Sequence, residues 1–282
     1  MRNSEVEYWD YVALEAKNYE KLMRLEKWKR VARNWLAHYA DKRTKDFVLN
    51  VVDKLVKLDD SAKVLDVGCG PGKWLKILAE RSGLVTAIDI SPKMVFLAEE
   101  RVMMERLTNV TFYVMDVSRL GFPDKTYDFV NCITVLQHVF DDNHWKRAIH
   151  EIVRVTKPNG YILLFETAPN FTIKKRTPHV AIRTMRRYEK EFRDAGASLV
   201  YWRSVDLSLP VTFFGLRGYA ASFNKKVYFF FSEKNLLWTA AFLSFLSQAA
   251  CFLARFIDYK LAETPLGFLS FGRILLFRKL KE

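Results

Sequence analysis

Asp66-Val-Gly68-Cys-Gly70-Pro-Gly72 is the stretch that decides the fold of this chain. An apolar run, residues 62–66, leads into it, and a run with helical apolar spacing, residues 73–81, follows it. A strand that turns into a helix through three glycines brings bare backbone close to a ligand, because no Cβ stands in the way. The stretch therefore predicts a ligand-binding loop between a buried strand and a helix.

A second carboxylate, Asp89, closes the next apolar run at residues 84–88. That place suits the two hydroxyls of a ribose, as in dinucleotide-binding folds. A nicotinamide-binding fold usually shows G-x-G-x-x-G, whereas these glycines are spaced G-x-G-x-G and Asp66 stands two residues before the first. Asp66 would repel a phosphate but would suit an amino group. S-adenosylmethionine, with a cationic amino-acid end and a ribose, fits both carboxylates.

Four further segments, in chain order, resemble motifs of the class I S-adenosylmethionine-dependent methyltransferases, in their small-molecule (type 11-like) branch. They are Phe112-Tyr-Val-Met-Asp116 for the third strand, Phe122-Pro-Asp-Lys-Thr-Tyr-Asp128 for the entry to strand four, Val135-Leu-Gln-His138 for the turn after it, and Val155-Thr-Lys-Pro-Asn-Gly160 for the turn before strand five. Asn159 replaces the first glycine of that last motif. The resemblance covers roughly residues 46–206 and the last strand, and it says little about the methyl acceptor.

The resemblance implies S-adenosyl-L-methionine as the cofactor and no metal. The residues expected to bind it are Asp66, Gly68, Cys69, Gly70, Gly72, Asp89, Ile90, Met94, Asp116, Val117 and Ile133. Asp66 would orient the glycine loop toward the cofactor's amino group, and Asp89 would hold the ribose hydroxyls. Asp116 would accept a hydrogen bond from the adenine amino group.

Methyl transfer from a sulfonium is a direct displacement, so the protein mainly aligns acceptor, methyl group and sulfur. A carbon or oxygen acceptor also needs a base. His138, which follows strand four on the side where the acceptor would approach, is the first candidate; the alternative is a histidine bonded to backbone at the pocket rim. His179 is a second candidate. Asp128, at the entry to strand four, is expected to be structural.

The amino-acid composition indicates the size of the core and the cellular location. Half of the 282 residues are hydrophobic, so the chain can bury a sizeable core. Cys69, Cys132 and Cys251 lie far apart and form no metal-type pair, which favours a reduced, cytoplasmic protein. The N-terminal residues lack the apolar core of a signal peptide. Peripheral contact with a membrane is the alternative to a purely cytoplasmic location.

The net charge of +13 concentrates in two stretches, residues 17–33 and 174–193. One interpretation is that both are solvated helix faces. The other is that they attract anionic lipid headgroups, a phosphorylated substrate or nucleic acid. The sequence leaves both open.

Four segments are predicted along the chain: an N-terminal helical cap (1–58), an S-adenosylmethionine-binding α/β core (59–206), an apolar helical insertion (207–266) and the final strand of the core (267–282). Strands are expected at 62–67, 84–89, 110–115, 127–132, 160–166, 198–202 and 272–278, and helices near 72–82, 92–107 and 143–156. The fold class is α/β, with a seven-stranded Rossmann-like methyltransferase sheet. The resemblance adds that strand seven is antiparallel.

The insertion contains a run without a single charge, residues 235–254. A single membrane crossing would leave strand seven on the wrong side of the bilayer, so the run is expected to pack on the core or to lie in a membrane interface. Aromatic residues also fill the insertion: Phe213, Phe214, Tyr219, Phe229, Phe230 and Phe231. Together with the basic stretches they favour an amphipathic or lipid-linked acceptor.

The predicted function is methyl transfer from S-adenosylmethionine to a small, amphipathic or lipid-linked acceptor. An RNA methyltransferase is one alternative, which the net charge favours although no N-P-P-Y motif or appended RNA-binding module is visible. A non-catalytic S-adenosylmethionine-binding module is the other. The acceptor atom, the pathway and the oligomeric state do not follow from the sequence.

Overall fold

The computed structural model describes residues 5–14, 44–170, 180–206 and 272–281. The chain divides into two units, of which the first contains Met1–Leu22, Phe47–Arg203 and Arg273–Glu282, and the second Met23–Asp46 and Ser204–Gly272. Almost all described residues belong to the first unit, and the site described below lies in it. The predicted insertion at 207–266, the basic residues 17–33 and His179 lie outside the described residues.

The described residues form seven strands and six helices. The strands are β1 Lys63–Val67, β2 Leu84–Asp89, β3 Val110–Val114, β4 Tyr127–Ile133, β5 Thr156–Thr167, β6 Ala197–Asp206 and β7 Gly272–Lys279. The helices are α1 5–14, α2 44–51, α3 Leu75–Ala79, α4 Pro92–Met104, α5 Asp142–Val155 and α6 Met185–Asp194. A π-helical turn, Val52–Val56, follows α2, and a 3₁₀ turn, Leu136–His138, follows β4.

The strands form one sheet in the order β3-β2-β1-β4-β5-β7-β6. Strands β1 to β5 are parallel to their neighbours. Leu280, just after β7, donates its N–H to the oxygen of Gly196, just before β6, so β7 runs antiparallel to β6. The seven-stranded Rossmann-like sheet is confirmed. Its strand order reverses between β1 and β4, and in such sheets ligands bind beyond the carboxyl ends of the strands at that point.

Local sequence explains where the helices begin. Ser91 accepts the N–H of Met94 on its hydroxyl, and Pro92 occupies the first helical position of α4. Asp141 caps α5 in the same way, accepting from the N–H of His144. One face of α5 is buried against the sheet, with Trp145, Ala148, Ile149, Ile152 and Val153 at helical spacing. The caps and the apolar face together fix both helices on the sheet.

Two elements begin three or more residues from their predicted starts, each close to a residue with positive φ. Helix α3 begins at Leu75 rather than near residue 72, because Gly72 has φ 76° and cannot be part of an α-helical turn. Strand β5 begins at Thr156 rather than at 160, and residues 157–160 bulge out between two paired positions. Asn159, at φ 63°, forms that bulge, a conformation asparagine tolerates well.

Two features are absent from the described residues. Within 5–14, 44–170, 180–206 and 272–281, no helix is long and apolar enough to cross a membrane. In the same ranges, no group of histidine, cysteine, aspartate and glutamate side chains could hold a metal ion. The uncharged run at 235–254 is not part of these ranges, and the four-segment division of the chain stays a prediction.

Candidate functional site

The glycine loop leaves β1 at the point where the strand order reverses. Gly68 and Gly70 have φ 63° and 51°, in the left-handed region. A Cβ added to Gly68 would lie 2.4 Å from Cγ2 of Val135, whereas a Cβ on Gly70 would meet nothing within 4 Å. Packing thus excludes a side chain at Gly68. At Gly70 the space is open, so a ligand can approach the backbone there.

Asp89 ties this loop to the next helix. Its Oδ2 accepts the N–H of Gly70 and its Oδ1 the N–H of Ser91, each over 2.9 Å. Burial raises the pKa of Asp89, against these backbone N–H groups, which lower it. A carboxylate has about four acceptor positions, so both oxygens can still accept a hydroxyl. Asp89 therefore stands where the sequence predicted a ribose contact.

Asp66 is a buried carboxylate beneath the loop, with 1% of its surface exposed. Its Oδ1 accepts from Nδ2 of Asn131 over 2.7 Å. Its Oδ2 is buried without a hydrogen-bond partner among the described residues, and so is Oδ1 of Asn131. Burial raises the pKa of Asp66 to about 7. The pair lacks a donor, which a ligand amino group would supply.

The raised pKa of Asp66 predicts a stability change on replacing it with Asn. Between its ordinary pKa of 3.8 and about 7, the folded protein keeps a proton that the unfolded chain has lost, so stability falls as pH rises through that window. Asp66→Asn removes the ionisation. We expect the stability advantage of the variant over wild type to be larger at pH 8 than at pH 5, by about 2–3 kcal/mol, without ligand.

Urea unfolding at pH 5 and pH 8 checks this expectation. The control is Asp60→Asn, because Asp60 is exposed. It should change the free energy of unfolding by the same small amount at both pH values. An Asp66→Asn effect that is equal at pH 5 and pH 8 would contradict the assignment of an ionisable, buried Asp66.

The remaining predicted cofactor residues lie at the same edge of the sheet. Asp116 follows β3 and accepts the N–H of Ser118 on its Oδ1 over 2.8 Å. Ile90 and Val117 are half-buried beside the ends of β2 and β3, Met94 is buried in the first turn of α4, and Ile133 ends β4. The structure thus brings all eleven predicted positions to the carboxyl ends of β1 to β4.

Helix α1 contacts the start of α4 through Asp10. The carboxylate of Asp10 accepts from the hydroxyl of Ser91 over 2.5 Å and from the N–H of Lys93 over 3.4 Å. The ammonium of Lys93 lies 3.6 Å from the same carboxylate. A side chain from α1 therefore completes the cap of α4, next to Asp89.

The same helix reaches the turn after β4. The ring of Trp9 packs edge-to-face on His138, with 4.8 Å between ring centroids. Near the start of α1, the pKa of Glu5 is raised by burial and further by the negative charge of Asp116. Helix α1 thus lies over the edge of the sheet that carries the predicted cofactor residues, as an N-terminal cap would.

The turn that carries His138 is held by Glu166, at the end of β5. Its Oε1 accepts the N–H groups of Val135 and Leu136, both over 2.9 Å, and its Oε2 accepts that of Gln137 over 3.0 Å. Burial raises the pKa of Glu166 to about 8, against these three N–H groups. The carboxylate fixes the backbone of the turn from inside the protein.

Arg183, preceding α6, holds the other side of this turn. Its guanidinium donates to the carbonyl oxygens of Leu136, Val139 and Phe140, and it is only 3% exposed. The side chain also stacks on Trp145, 4.6 Å from the ring centroid. Glu166 and Arg183 together leave the turn little freedom to move.

His138 itself is half-buried at the rim of the site. Oε1 of Gln137 accepts the N–H of Thr167 over 3.0 Å, which fixes the orientation of that amide. Nε2 of Gln137, 3.4 Å from Nε2 of His138, then faces the ring with an N–H. We infer that neutral His138 carries its proton on Nδ1. A base role at Nε2 would require this contact to open.

The other candidate residues lie away from the site or are inert there. Asp128 stands at the opposite end of β4, where it accepts from Lys157 and from the N–H of Lys63, a structural bridge between strands. The thiol of Cys69 is buried, and burial raises its pKa well above 9.0, which suppresses the thiolate.

Acidic partners lie beside the described part of the second basic stretch, residues 180–193. The pairs are Arg183 and Arg187 with Asp142, Lys190 with Asp194, and Arg193 with Glu189. Most of the positive charge in this part is therefore compensated within the chain. The observation favours the paired helix face over the anion-attracting surface for these residues.

Three residues of the site escaped the sequence analysis. Asn131 interrupts the apolar run of β4, and Glu166 ends the apolar run of β5 just as Asp89 ends that of β2. Both residues could have been noticed in the sequence, since each is a polar residue in or at the end of an apolar run. Asp10 gave no such signal, because its partner Ser91 is 81 positions away in the chain.

An open glycine loop, two buried carboxylates and a reversed strand order define an α/β domain that binds a nucleoside-containing cofactor. Residues 64–160 match the family model described as a methyltransferase domain. Over this segment the chain is similar to the class I S-adenosylmethionine-dependent methyltransferases.

One curated relative is a demethylmenaquinone methyltransferase from Geobacillus sp. (strain WCH70). It is 33% identical over 118 residues, which are 41% of this chain and 49% of that protein. The chain spans about half the length of the curated relatives it matches. The similarity is thus confined to one part of each protein.

Two solved structures share the fold. The [4+2]-cyclase SpnF is 24% identical at a TM-score of 0.58, covering 84% of this chain and 81% of that one. An S-adenosylmethionine-dependent methyltransferase from Methanosarcina mazei is 21% identical at a TM-score of 0.52, covering 80% of this chain and 96% of that one. The architecture therefore extends well beyond residues 64–160.

Proposed function

We propose that this protein binds S-adenosyl-L-methionine and transfers its methyl group to a small, amphipathic or lipid-linked acceptor. One observation carries the proposal: the backbone is open at Gly70, Oδ2 of Asp66 has no hydrogen-bond donor among the described residues, and Asp89 keeps free acceptor positions. An amino-acid end and a ribose, joined in one molecule, match these two carboxylates.

The described residues fit that cofactor. Asp66 and the glycine loop would hold the amino-acid end, Asp89 the ribose hydroxyls, and Asp116 the adenine amino group. The bound cofactor supplies an electrophilic methyl group on a sulfonium. The chain's contribution is to align the acceptor with that methyl group and to exclude water, which is the main source of rate in a direct displacement.

Asp89→Ala is expected to weaken cofactor binding by about 1.5–3 kcal/mol, because it removes an ionised hydrogen-bond partner from the ribose. Titration calorimetry with S-adenosylhomocysteine measures the change. Asp124→Ala is the matched control, since Asp124 is exposed and pairs with Arg154. The control should bind as wild type does, and an unchanged affinity in Asp89→Ala would overturn the assignment of this carboxylate.

The acceptor class rests on two supports. Several curated relatives, among them the one from Geobacillus, are named demethylmenaquinone methyltransferase, which points to small lipid-like acceptors. The insertion at 207–266 is rich in aromatic residues and contains the uncharged run 235–254. Mass spectrometry of lipid and small-molecule extracts, incubated with the protein and deuterated methyl donor, should show one labelled methyl group in a lipid-fraction product. A label only in the water-soluble or RNA fraction would contradict this class.

Membrane contact is a separable part of the proposal. Full-length protein is expected to float with anionic liposomes at low salt, because lysine and arginine near a surface each add about 1 kcal/mol of attraction to anionic lipid. A 209–262 deletion that still folds should stay at the bottom of the gradient. If the intact protein also stays there, the membrane part is wrong while methyl transfer can stand.

His138 remains the proposed base for a carbon or oxygen acceptor. The contact between Gln137 and its Nε2 argues for the alternative, a rim histidine that shapes the pocket. His138→Asn separates the two, since a general base contributes about 10²–10⁴-fold to the rate. A smaller loss with a raised KM indicates the rim role.

Two alternatives have specific tests. Most basic residues in the described part of the second basic stretch have acidic partners, which weakens the case for an RNA acceptor. Salt-dependent RNA binding in a gel shift would restore it.

SpnF, which shares the fold, is a [4+2]-cyclase, so the fold by itself does not establish methyl transfer. Cofactor binding without any labelled product would favour a role other than methyl transfer.

A further inference from the structure

Asp66 forms a buried pair with Asn131, a residue that has no role in the site as described so far. They stand at the same register on the adjacent parallel strands β1 and β4. Both are buried, and their one mutual hydrogen bond, from Nδ2 of Asn131 to Oδ1 of Asp66, is 2.7 Å long. The two remaining oxygens, Oδ2 of Asp66 and Oδ1 of Asn131, have no partner among the described residues. Two orphan acceptors side by side are rare in a native protein.

The chemistry of the pair indicates what is missing. A group that satisfies both oxygens must offer at least two N–H or O–H donors. A positive charge on that group is favoured, because the titratable groups that face Asp66 are the carboxylate of Asp89 and the thiols of Cys69 and Cys132. None of these is a cation. An ammonium group, with three donors and one positive charge, meets both requirements.

We propose that Asn131 is a second acceptor for the ammonium group of the bound cofactor and the residue that positions Asp66 to receive it. The inference rests on the proposed function. Through its amide N–H, Asn131 holds one oxygen of Asp66 and leaves the other for the ligand. Through its own oxygen it takes a further N–H of the same ammonium, directly or by way of one buried water.

Such a pair recognises the amine of the cofactor and nothing else of it. Three ligands separate the chemical groups: S-adenosylhomocysteine has both amine and carboxylate, decarboxylated S-adenosylmethionine has the amine alone, and 5′-methylthioadenosine has neither. All three carry the same adenosine. A difference between the first two and the third therefore reports on the amine.

The number of protons released on ligand binding tests the proposal on the wild-type protein. Free Asp66 holds a proton over much of the range below pH 7. An arriving ammonium favours the ionised carboxylate, so binding displaces that proton to solvent. Calorimetry at pH 6.5, in two buffers of different ionisation enthalpy, should show roughly 0.5–0.8 proton released with either amine-bearing ligand and close to none with 5′-methylthioadenosine. Equal release with all three ligands, or none with any, overturns the proposal.

Asn131→Leu tests the second acceptor, since leucine has nearly the same size and no polar atom. We expect the affinity for S-adenosylhomocysteine to fall by about ten- to a hundredfold, while that for 5′-methylthioadenosine stays within about twofold. Asn109→Leu is the matched control: Asn109 is a half-buried amide that bonds Ala79 and Ser82 on the far side of β2. It should leave the ratio of the two affinities unchanged.

The binding of 5′-methylthioadenosine also separates a folding defect from a lost contact. If Asn131→Leu binds neither ligand, Asn131→Ser, which cannot span the same distance, replaces it in the same comparison. An equal loss for both ligands contradicts the proposed role. Wild-type protein that binds none of the three ligands overturns the proposed function, whereas binding without any preference for the amine overturns only this inference.

Discussion

Gly68→Ala is expected to lower the free energy of unfolding by about 2–5 kcal/mol and to abolish measurable cofactor binding. The left-handed backbone at φ 63° costs an L-residue about 1–2 kcal/mol. The new methyl group would also lie 2.4 Å from Val135, and such overpacking costs about 1–3 kcal/mol. Rotation of the Val135 side chain gives no relief, because its Cγ1 and Cβ also lie 3.1 and 3.3 Å from the new methyl group, and Glu166 holds the Val135 backbone through its N–H. Urea unfolding and calorimetry with S-adenosylhomocysteine measure the two effects.

Gly70→Ala is the matched control, with the same chemical change two residues away. Its Cβ would meet nothing within 4 Å, so only the backbone term of about 1–2 kcal/mol applies to stability. Binding should nevertheless fall by at least about tenfold, because the methyl group enters the space assigned to the ligand. If Gly70→Ala binds the cofactor as wild type does, the ligand does not approach the backbone at this loop.

Glu166→Ala is expected to destabilise the protein by about 3–5 kcal/mol. Three N–H groups of the turn after β4 lose their acceptor, and each unsatisfied buried donor costs about 1–3 kcal/mol, partly offset by entering water. Methyl transfer should fall further than stability alone explains, since this turn carries His138 and packs Val135 on the glycine loop. Thermal unfolding and a rate measurement at saturating cofactor report the two losses.

Glu166→Gln keeps an acceptor for Val135 and Leu136 and turns an NH₂ group toward the N–H of Gln137. Its cost should therefore be smaller, about 1–3 kcal/mol. Glu189→Ala, which removes a carboxylate paired with an exposed arginine on α6, should change stability by less than about 0.5 kcal/mol. A Glu166→Ala protein as stable as the Glu189→Ala protein would show that the turn does not depend on this carboxylate.

The sequence predicted the sheet well because its signals are local. Strand β2 was placed at its observed bounds, and β1, β3 and β4 within one residue, since buried parallel strands are near-continuous apolar runs. The wrong starts of α3 and β5 arose where one residue adopts an unusual backbone conformation. Gly72 delays α3, and Asn159 lets β5 begin earlier and bulge. Apolar patterning does not report such conformations.

Some parts of the site could not be predicted from the sequence, because they depend on contacts between segments that are distant in the chain. The charge of Arg183 suggested an outward-facing basic surface, but the side chain is buried against Trp145 and three carbonyl groups. A run of basic residues in the sequence does not show which of them has an acidic or carbonyl partner in the fold. The orphan oxygen of Asn131 likewise becomes visible only when β4 lies beside β1.

The contact of Asp10 with Ser91 bears on how far the matched segment is a self-sufficient module. Residues 64–160 contain the glycine loop, Asp89 and the turn after β4, yet the side chains that brace them lie outside: Asp10 before the segment, Glu166 and Arg183 after it. A fragment cut at those limits would keep the ligand-facing residues and lose their supports. A relative that is similar only over such a segment need not have these supports, so each whole chain must itself provide the rigidity of the ligand-binding surface.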